Sequence, residues 1–378
     1  MGSNPLKVLI IAFMAHGAAG QYTAQLANAL SEISETTVII PDYANPQYFN
    51  KNIKLLTLSI PLGLAAATLK TLNPSFSKLL LGVVADEKPD VVHVVVEYRF
   101  WFPYAFLLHR KYPMVITIHD PKAMPARSSM IANTLAALIQ YVNNSLLAKF
   151  ADKVIVHSAK VKGCRLISKL PDYKVEIVPH GEFAFFAQSG EVVEKGGRTI
   201  LFFGRIVPYK GIEYLIQAGK IIEKQIADVS ITIAGEGDWT NYEKQIVGDN
   251  HFIVHNRFIP DNEVAQLFQK ASLVVLPYTY GSQTGVVSIA ATFKKPAIVT
   301  DVGNFAEIVE HGRTGLVIPP RDANALAEAI IKLLADDKLR QQMGNNAYNL
   351  VKERFSWDGI AKRTLEVYEK AIKRRRTL

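Results

Sequence analysis

Short, continuous apolar runs recur along this chain with helix-length segments between them, and the alternation runs its course twice. In the first half the runs fall at Val8–Ala12, Thr37–Ile40, Val91–Val96, Val115–Ile118, Val154–His157 and Val175–Val178. Helical stretches such as Tyr22–Glu32 and Met130–Phe150 lie between several of them. A strand that is apolar on consecutive residues is covered on both faces, so the pattern predicts a parallel sheet between two helix layers. The alternation restarts at Ile200–Phe203 and continues through Val229–Ala234, Phe252–Val254, Leu273–Leu276, Ala297–Val299 and Gly315–Ile318. Helices such as Gly211–Ile226 and Asn262–Lys270 separate these strands. Two doubly wound, Rossmann-like α/β domains facing a central cleft are the economical architecture. A chain of 378 residues suits two domains at about 150 residues each. The glycine- and charge-containing segment Gln188–Arg198 is the natural linker. We expect domains at 1–184 and 185–356, with a terminal helix, 357–378, packing back on the first.

Composition narrows the setting. Hydrophobic residues make up 49% and charged residues 20%, an ordinary globular balance with ample core. The single cysteine, Cys164, allows neither an intramolecular disulfide nor a cysteine metal cluster, which favours a reducing, cytoplasmic setting. The apolar run VLIIAF after Lys7 is too short for a secretory signal, and apolar stretches fall short of the roughly 18 residues of a membrane span. The expectation is a soluble or peripheral protein. The formal charge is 43 − 34 = +9. Residues 1–184 carry 18 Lys/Arg against 12 Asp/Glu, and the tail adds Lys370, Lys373, Arg374, Arg375 and Arg376. This balance favours anionic partners or is a solvated basic surface. No recognised nucleic-acid motif accompanies it.

In an open parallel sheet, ligands bind beyond the carboxyl ends of the strands, and the unusual residues fall on the loops there. His16–Gln21 reads HGAAGQ after the first strand. Its small residues let backbone approach a ligand at a helix start, or they make a packing turn. It is not a GxGxxG, and no suitably placed acid supports a nicotinamide site. Thr117–Pro121 reads TIHDP, which puts His119 at a strand's end for hydrogen bonding or proton transfer. Gly204–Gly211 reads GRIVPYKG. There Arg205 and Lys210 hold two cations near a helix start, an arrangement suited to a diphosphate. In AGEGD, Gly235 permits close backbone approach and Glu236 can touch a nucleoside. In NRFIPDNEV, Arg257 or Phe258 can stack on a base while backbone through Ile259 reads its edge, or Phe258 simply packs. The segment Pro277–Gly303 places Ser282, Gln283 and Thr284 before Gly285 and a helical run from Val286. Free N–H groups at that start suit a diphosphate, and Gln283 suits sugar hydroxyls.

The order of these pieces resembles a known family. FFGRIVPYKGIEYLIQA, IAGEG, RFIPDNEVAQLF, PYTYGSQTG, KKPAIVTDVGNFAEIV and HGRTGLVIP, preceded by HGAAG, TIHD, ADKVIVHSAK and IVPHGEF, are similar to the retaining GT4 glycosyltransferases of the GT-B fold. The resemblance covers nearly the whole chain and is strongest over residues 200–320. It implies a nucleotide-sugar donor, such as a UDP- or GDP-sugar, as co-substrate, with no other cofactor and no divalent metal. The donor would lie on the C-terminal domain and the acceptor on the N-terminal one. Arg205 and Lys210, with Thr284, Gly285 and Val286, would hold the diphosphate, and His119, Ser282, Gln283 and Thr284 would meet the donor sugar. The catalytic set would be His119, Arg205 and Lys210, and the nucleoside would lie against Gly235, Glu236, Arg257, Phe258 and Ile259. Acceptor contacts would come from Gly17, Ala18, Ala19, Gly20 and Gln21, from Glu97, Tyr98 and Arg99 in the Glu97–Tyr104 segment, or from Lys122–Arg127.

One departure matters. The family places two glutamates eight residues apart around the Ser282–Ile289 segment, and alignment on Lys295-Pro296 puts Gly281 and Ile289 there. The sequence SQTG is similar to a subgroup with a Ser-Gln-Ser-Gly-like loop, which implies that Gln283 and Thr284 replace the acidic contacts. Many family members modify lipid-linked acceptors, and the leucine-rich stretch Ile60–Val84 with Lys70 and Lys78, together with Arg127–Lys149, is either interfacial or core. The expected activity is retaining transfer of a sugar to a glycan or lipid-linked acceptor in cell-surface polysaccharide or glycolipid synthesis. Contact with an anionic membrane at the inner face of the cytoplasmic membrane stays open, and nucleic acid is not an expected partner. The alternatives are a GT-B-fold nucleotide-sugar epimerase or hydrolase, and a non-catalytic nucleotide-sugar binder.

Overall fold

A computed structural model describes residues 5–15, 17–61, 64–96, 102–121, 130–188, 197–281 and 284–377. Two compact units divide the chain.

The first unit is built on seven parallel strands: β1 (Lys7–Ala12), β2 (Glu35–Pro41), β3 (Lys54–Leu58), β4 (Val91–Val96), β5 (Met114–Thr117), β6 (Lys153–Val156) and β7 (Val175–Ile177). Their spatial order is β3-β2-β1-β4-β5-β6-β7. The helices are α1 (Gly17–Ser31), α2 (Leu64–Thr71), α3 (Pro74–Glu87), α4 (Phe102–His109), α5 (Met130–Phe150) and α6 (Ala159–Lys162). The sequence pattern misses β3. KLLTL is only half-buried at the sheet's edge, so it lacks the continuous apolar signal of the inner strands. Leu9 and Ile11 face one helix layer and Val8 and Ile10 the other, as a strand covered on both sides requires.

The second unit has six parallel strands: β8 (Arg198–Phe203), β9 (Val229–Ala234), β10 (Phe252–His255), β11 (Leu273–Leu276), β12 (Ala297–Thr300) and β13 (Gly315–Ile318), in the order β10-β9-β8-β11-β12-β13. Its helices are α7 (Ile212–Ile222), α8 (Thr240–Ile246), α9 (Asp261–Lys270), α10 (Val286–Thr292), α11 (Phe305–Ile308), α12 (Ala323–Ala335) and α13 (Asp337–Arg354). Asp322 and Asp336 start α12 and α13 by accepting the N–H groups of Ala325 and Leu339, the usual way to satisfy a helix's orphan donors.

The last helix, α14 (Trp357–Thr377), belongs to the first unit. Its buried face, Trp357, Ile360, Ala361, Val367, Tyr368 and Ala371, joins the core formed with α1 and the sheet. Most of the Gln188–Arg198 segment lies outside the described residues.

Candidate active site

In the second unit β8 lies between β9 and β11, so the strand order reverses there. The loops after β8 and β11 border the resulting crevice, the usual ligand position in an open α/β sheet. These two loops are clamped together. The Thr279 N–H donates to the Tyr209 carbonyl at 2.8 Å, and at Gly211 (φ +68°) a Cβ would lie 2.0 Å from the Pro277 oxygen. The β8 loop is also laced to the β9 loop. The N–H groups of Gly204 and Ile206 donate to the carbonyls of Ala234 (2.9 Å) and Glu236 (2.8 Å). Gly235 (φ +148°) stands so close that a Cβ would lie 2.1 Å from the Gly204 oxygen. The Asn256 side chain accepts from the Gly237 N–H at 3.1 Å, which ties in the β10 loop.

Lys210 ends a short 3-10 turn, Pro208–Lys210, and only 9% of it is exposed. No carboxylate pairs with it among the described residues; its ammonium lies 4.8 Å over the Tyr278 ring. Burial pushes its pKa down to about 8, Tyr209 opposes the shift, and the nearby Arg205 guanidinium adds to it. Arg205 is exposed. Two cations stand at one strand's end, one of them buried without a counter-charge among the described residues, an arrangement chemically suited to an anion. The Thr284 hydroxyl accepts from the Val286 N–H at 3.3 Å. Gly285 is the N-cap of α10, which has only seven residues. Ser282 and Gln283 lie outside the described residues.

The nucleoside candidates divide. Glu236 is exposed beside Gly235. Arg257 directs its guanidinium at Glu263, with Nη1 3.1 Å from Oε1. Phe258 is 66% exposed and Ile259 is a core residue, so Phe258 is the free aromatic face. Ile289 is 4% exposed and belongs to the unit's apolar core. It is a packing residue.

One group of metal-ligand side chains is close together among the described residues: Glu223, Asp249 and His251. His251 Nδ1 lies 2.9 Å from Asp249 and 3.6 Å from Glu223. These residues precede β10 and follow α7, at the amino ends of the strands, away from the loops above.

In the first unit, His119 follows β5 and joins a cluster the sequence did not point to. Its Nε2 is 2.8 Å from the Val95 carbonyl and its Nδ1 3.0 Å from His157 Nε2. His157 Nδ1 is 2.9 Å from the Val178 carbonyl. The Tyr22 ring packs edge-on to His119 at 4.8 Å, and His180 lies 5.4 Å from His157. Deeper in the sheet, His93 bridges the Tyr368 hydroxyl (2.7 Å) and the Thr117 hydroxyl (2.8 Å). Burial lowers the pKa of His119 and His180 to about 4 and of His93 to about 3, and it holds His157 well below the usual imidazole range. These rings are neutral at pH 7. The missed signal is positional: His157 and His180, like His119, each come within three residues past a strand.

The segment named for acceptor contacts differs from the expected loop in conformation. Gly17, Ala19, Gly20 and Gln21 do not form a loop; with Ala18 they open α1. Gly17 (φ +54°) makes the turn out of β1 and its approach, and at Gly20 a Cβ would lie 2.7 Å from the Ala15 oxygen. The small residues serve that close start, and Gln21 is buried. Glu97, Tyr98 and Arg99 lie outside the described residues, as do His16 and the Lys122–Arg127 segment.

Two family profiles match: Glycosyltransferase Family 4 over residues 19–181 and Glycosyl transferases group 1 over residues 186–350. An uncharacterized glycosyltransferase of Methanocaldococcus jannaschii is 33% identical over 301 residues, covering 77% of this chain and 78% of that protein. The phosphatidyl-myo-inositol mannosyltransferase of Mycolicibacterium smegmatis is 26% identical over 366 residues, covering 93% of this chain and 90% of that protein. Among solved structures, sucrose-phosphate synthase from Thermosynechococcus elongatus superposes with a TM-score of 0.76 at 21% identity, covering 97% of this chain and 98% of that one. Anabaena HepE in complex with UDP-glucose gives 0.71 at 19% identity, covering 96% and 99%.

Proposed function

Because the chain belongs to the family 4, group 1 glycosyltransferases and has their GT-B fold, we propose that it transfers a sugar from a nucleoside diphosphate to a hydroxyl of a glycan or lipid-linked acceptor, with retention of configuration. The observation that carries this reading is the Arg205–Lys210 pair at the crevice edge of β8, a buried ammonium near an exposed guanidinium with no carboxylate paired to the ammonium among the described residues. The leaving diphosphate gains negative charge as the glycosidic bond breaks, and fixed cations stabilise that charge more in the transition state than in the ground state. This fits front-face displacement, in which the departing phosphate helps to deprotonate the acceptor, and it assigns to two side chains the charge neutralisation that a divalent metal supplies elsewhere. His119 contributes a neutral imidazole, and the uncharged Ser282-Gln283-Thr284 segment reads the donor sugar. The buried Ile289 supports the loop assignment, since that position offers no polar group.

Exposed apolar residues support a lipid-linked acceptor. Leu69 (74% exposed), Leu72 and Leu79 stand on α2, its end and α3, near Lys70 and Lys78 in sequence. Leucines interleaved with lysines suit an anionic membrane surface. No helix among the described residues is long and apolar enough to cross a membrane.

The test is direct. A panel of UDP-, GDP- and ADP-sugars should contain one donor that raises the melting temperature, because a ligand of the native state stabilises it. With that donor, Lys210→Ala should lower kcat/KM by roughly 100-fold or more. A near-normal kcat/KM in that variant would remove the diphosphate assignment.

A further inference from the structure

Tyr278 follows β11 and is enclosed by its neighbours. Its ring is held edge-on by Phe305 at 5.2 Å and by Tyr209 at 6.1 Å. The Thr300 hydroxyl donates to its carbonyl at 2.6 Å. The Lys210 ammonium rests on the ring face. Another side of that ammonium is bounded by Gly204, where a Cβ would lie 2.5 Å from Nζ and 3.9 Å from the Tyr278 hydroxyl. The ammonium therefore occupies a socket of aromatic face and bare glycine backbone. A carboxylate in place of the ring would quench the charge; an aromatic face attracts a cation and leaves its charge available.

The Tyr278 hydroxyl is a second feature. It is buried and has no hydrogen-bond partner among the described residues. The Thr284 side chain lies beside it, and Thr284 and the Arg205 charge both lower the phenol's pKa against the larger effect of burial. Burial pushes the phenol's pKa far above neutral, so the group keeps its proton. A buried O–H donor without an acceptor is costly, and this one sits at the two cations that await an anion.

We propose that Tyr278 is a positioning residue for Lys210 and a hydrogen-bond donor to a diphosphate oxygen of the bound nucleotide. The proposal rests on the donor assignment made above and adds a residue to it. Neither role follows from the phosphate-binding cations themselves, because each depends on this ring and this hydroxyl.

The experiment uses the full chain, UDP and GDP as calorimetric probes, and lysine-labelled protein in which NMR follows the Lys210 titration. Tyr278→Phe keeps the ring and should weaken UDP or GDP binding about 10-fold, the loss of one hydrogen bond to a charged group, with the Lys210 midpoint unmoved. Tyr278→Leu removes the ring as well, so binding should weaken further and the Lys210 midpoint should fall, since the cation loses its aromatic face. If Tyr278→Leu does not fold, Tyr278→Met fills more of the volume and is judged by the same readout. Binding by Tyr278→Phe within twofold of wild type overturns the donor role. A Lys210 midpoint that is unmoved or raised without the ring overturns the positioning role. If the wild type binds neither nucleotide, the donor assignment itself fails and takes the hydroxyl's role with it, and the Lys210 titration alone then decides the positioning role.

Discussion

In its proposed role Lys210 would have to be charged to hold a phosphate, yet it is buried where charge is disfavoured. Its pKa of about 8 is the outcome. At pH 7 the free protein holds it mostly as the ammonium, and the charge is lost as pH rises through about 8. The kcat/KM profile of the free enzyme should therefore fall along an alkaline limb near pH 8. In Lys210→Arg the guanidinium stays charged across that range, so the limb should vanish even where the absolute rate is lower. A limb of the same midpoint in the arginine variant would assign it to another group. The neighbouring glycines act at the same scale. Gly204 and Gly235 hold φ values of +129° and +148°, conformations that side chains rarely adopt, and together they bring the β8 and β9 loops within touching distance around the ammonium.

Short α10 shows how an element changes the meaning of a motif. Its residues Val286–Ala291 are all buried. At its N-cap, Gly285 leaves no room, since a Cβ would lie 2.3 Å from the Phe183 ring. Ile289 thus points into packing. Ile289→Glu would bury a carboxylate without a partner and should cost about 3–5 kcal/mol, read as a lower urea midpoint at unchanged slope. Wild-type stability in that variant would contradict the core placement. α14 works in the opposite sense, carrying polar anchors inward. Trp357 packs on Gly181, where a Cβ would lie 2.4 Å from the indole, and Tyr368 reaches His93. Near the helix's end Arg375 donates to the His109 carbonyl, and Lys370 pairs with Glu176 at 3.0 Å. A helix remote in sequence is fixed to the first sheet along its length.

For the whole molecule, the histidines set the acid limit of stability. His93, His119, His157 and His180 are held neutral by burial, with neighbouring histidines adding to the effect on His93, His119 and His157. An unfolded chain protonates them near pH 6.5, whereas the folded protein does so only near 4 or below. Between those values the unfolded state binds more protons, so stability rises with pH and is lost as pH falls through that window. For fully buried His93, the slope is about 1.4 kcal/mol per pH unit. Urea titrations from pH 7 to 4 should show stability dropping steeply below about 6.5, and His93→Gln should flatten the drop. A profile flat to pH 4 would mean the rings are charged in the folded protein.

The sequence alone determined the fold class and the closeness of Arg205 and Lys210. Continuous apolar strands report a doubly buried parallel sheet by their own composition, and Arg205 and Lys210 lie within one loop, so their neighbourhood is local. It did not show β3, because a half-exposed edge strand carries a weak apolar pattern. It also misread Gly17–Gln21 as a loop, since small residues suit a ligand approach and a tight helix start equally well. The tertiary structure decided the rest. Arg257 is claimed by Glu263, Ile289 by the core, and His119 by His157, each through a neighbour that the chain's pattern does not announce. Tyr278 lies 68 positions after Lys210, and only the reversal of strand order between β8 and β11 places its ring under the ammonium.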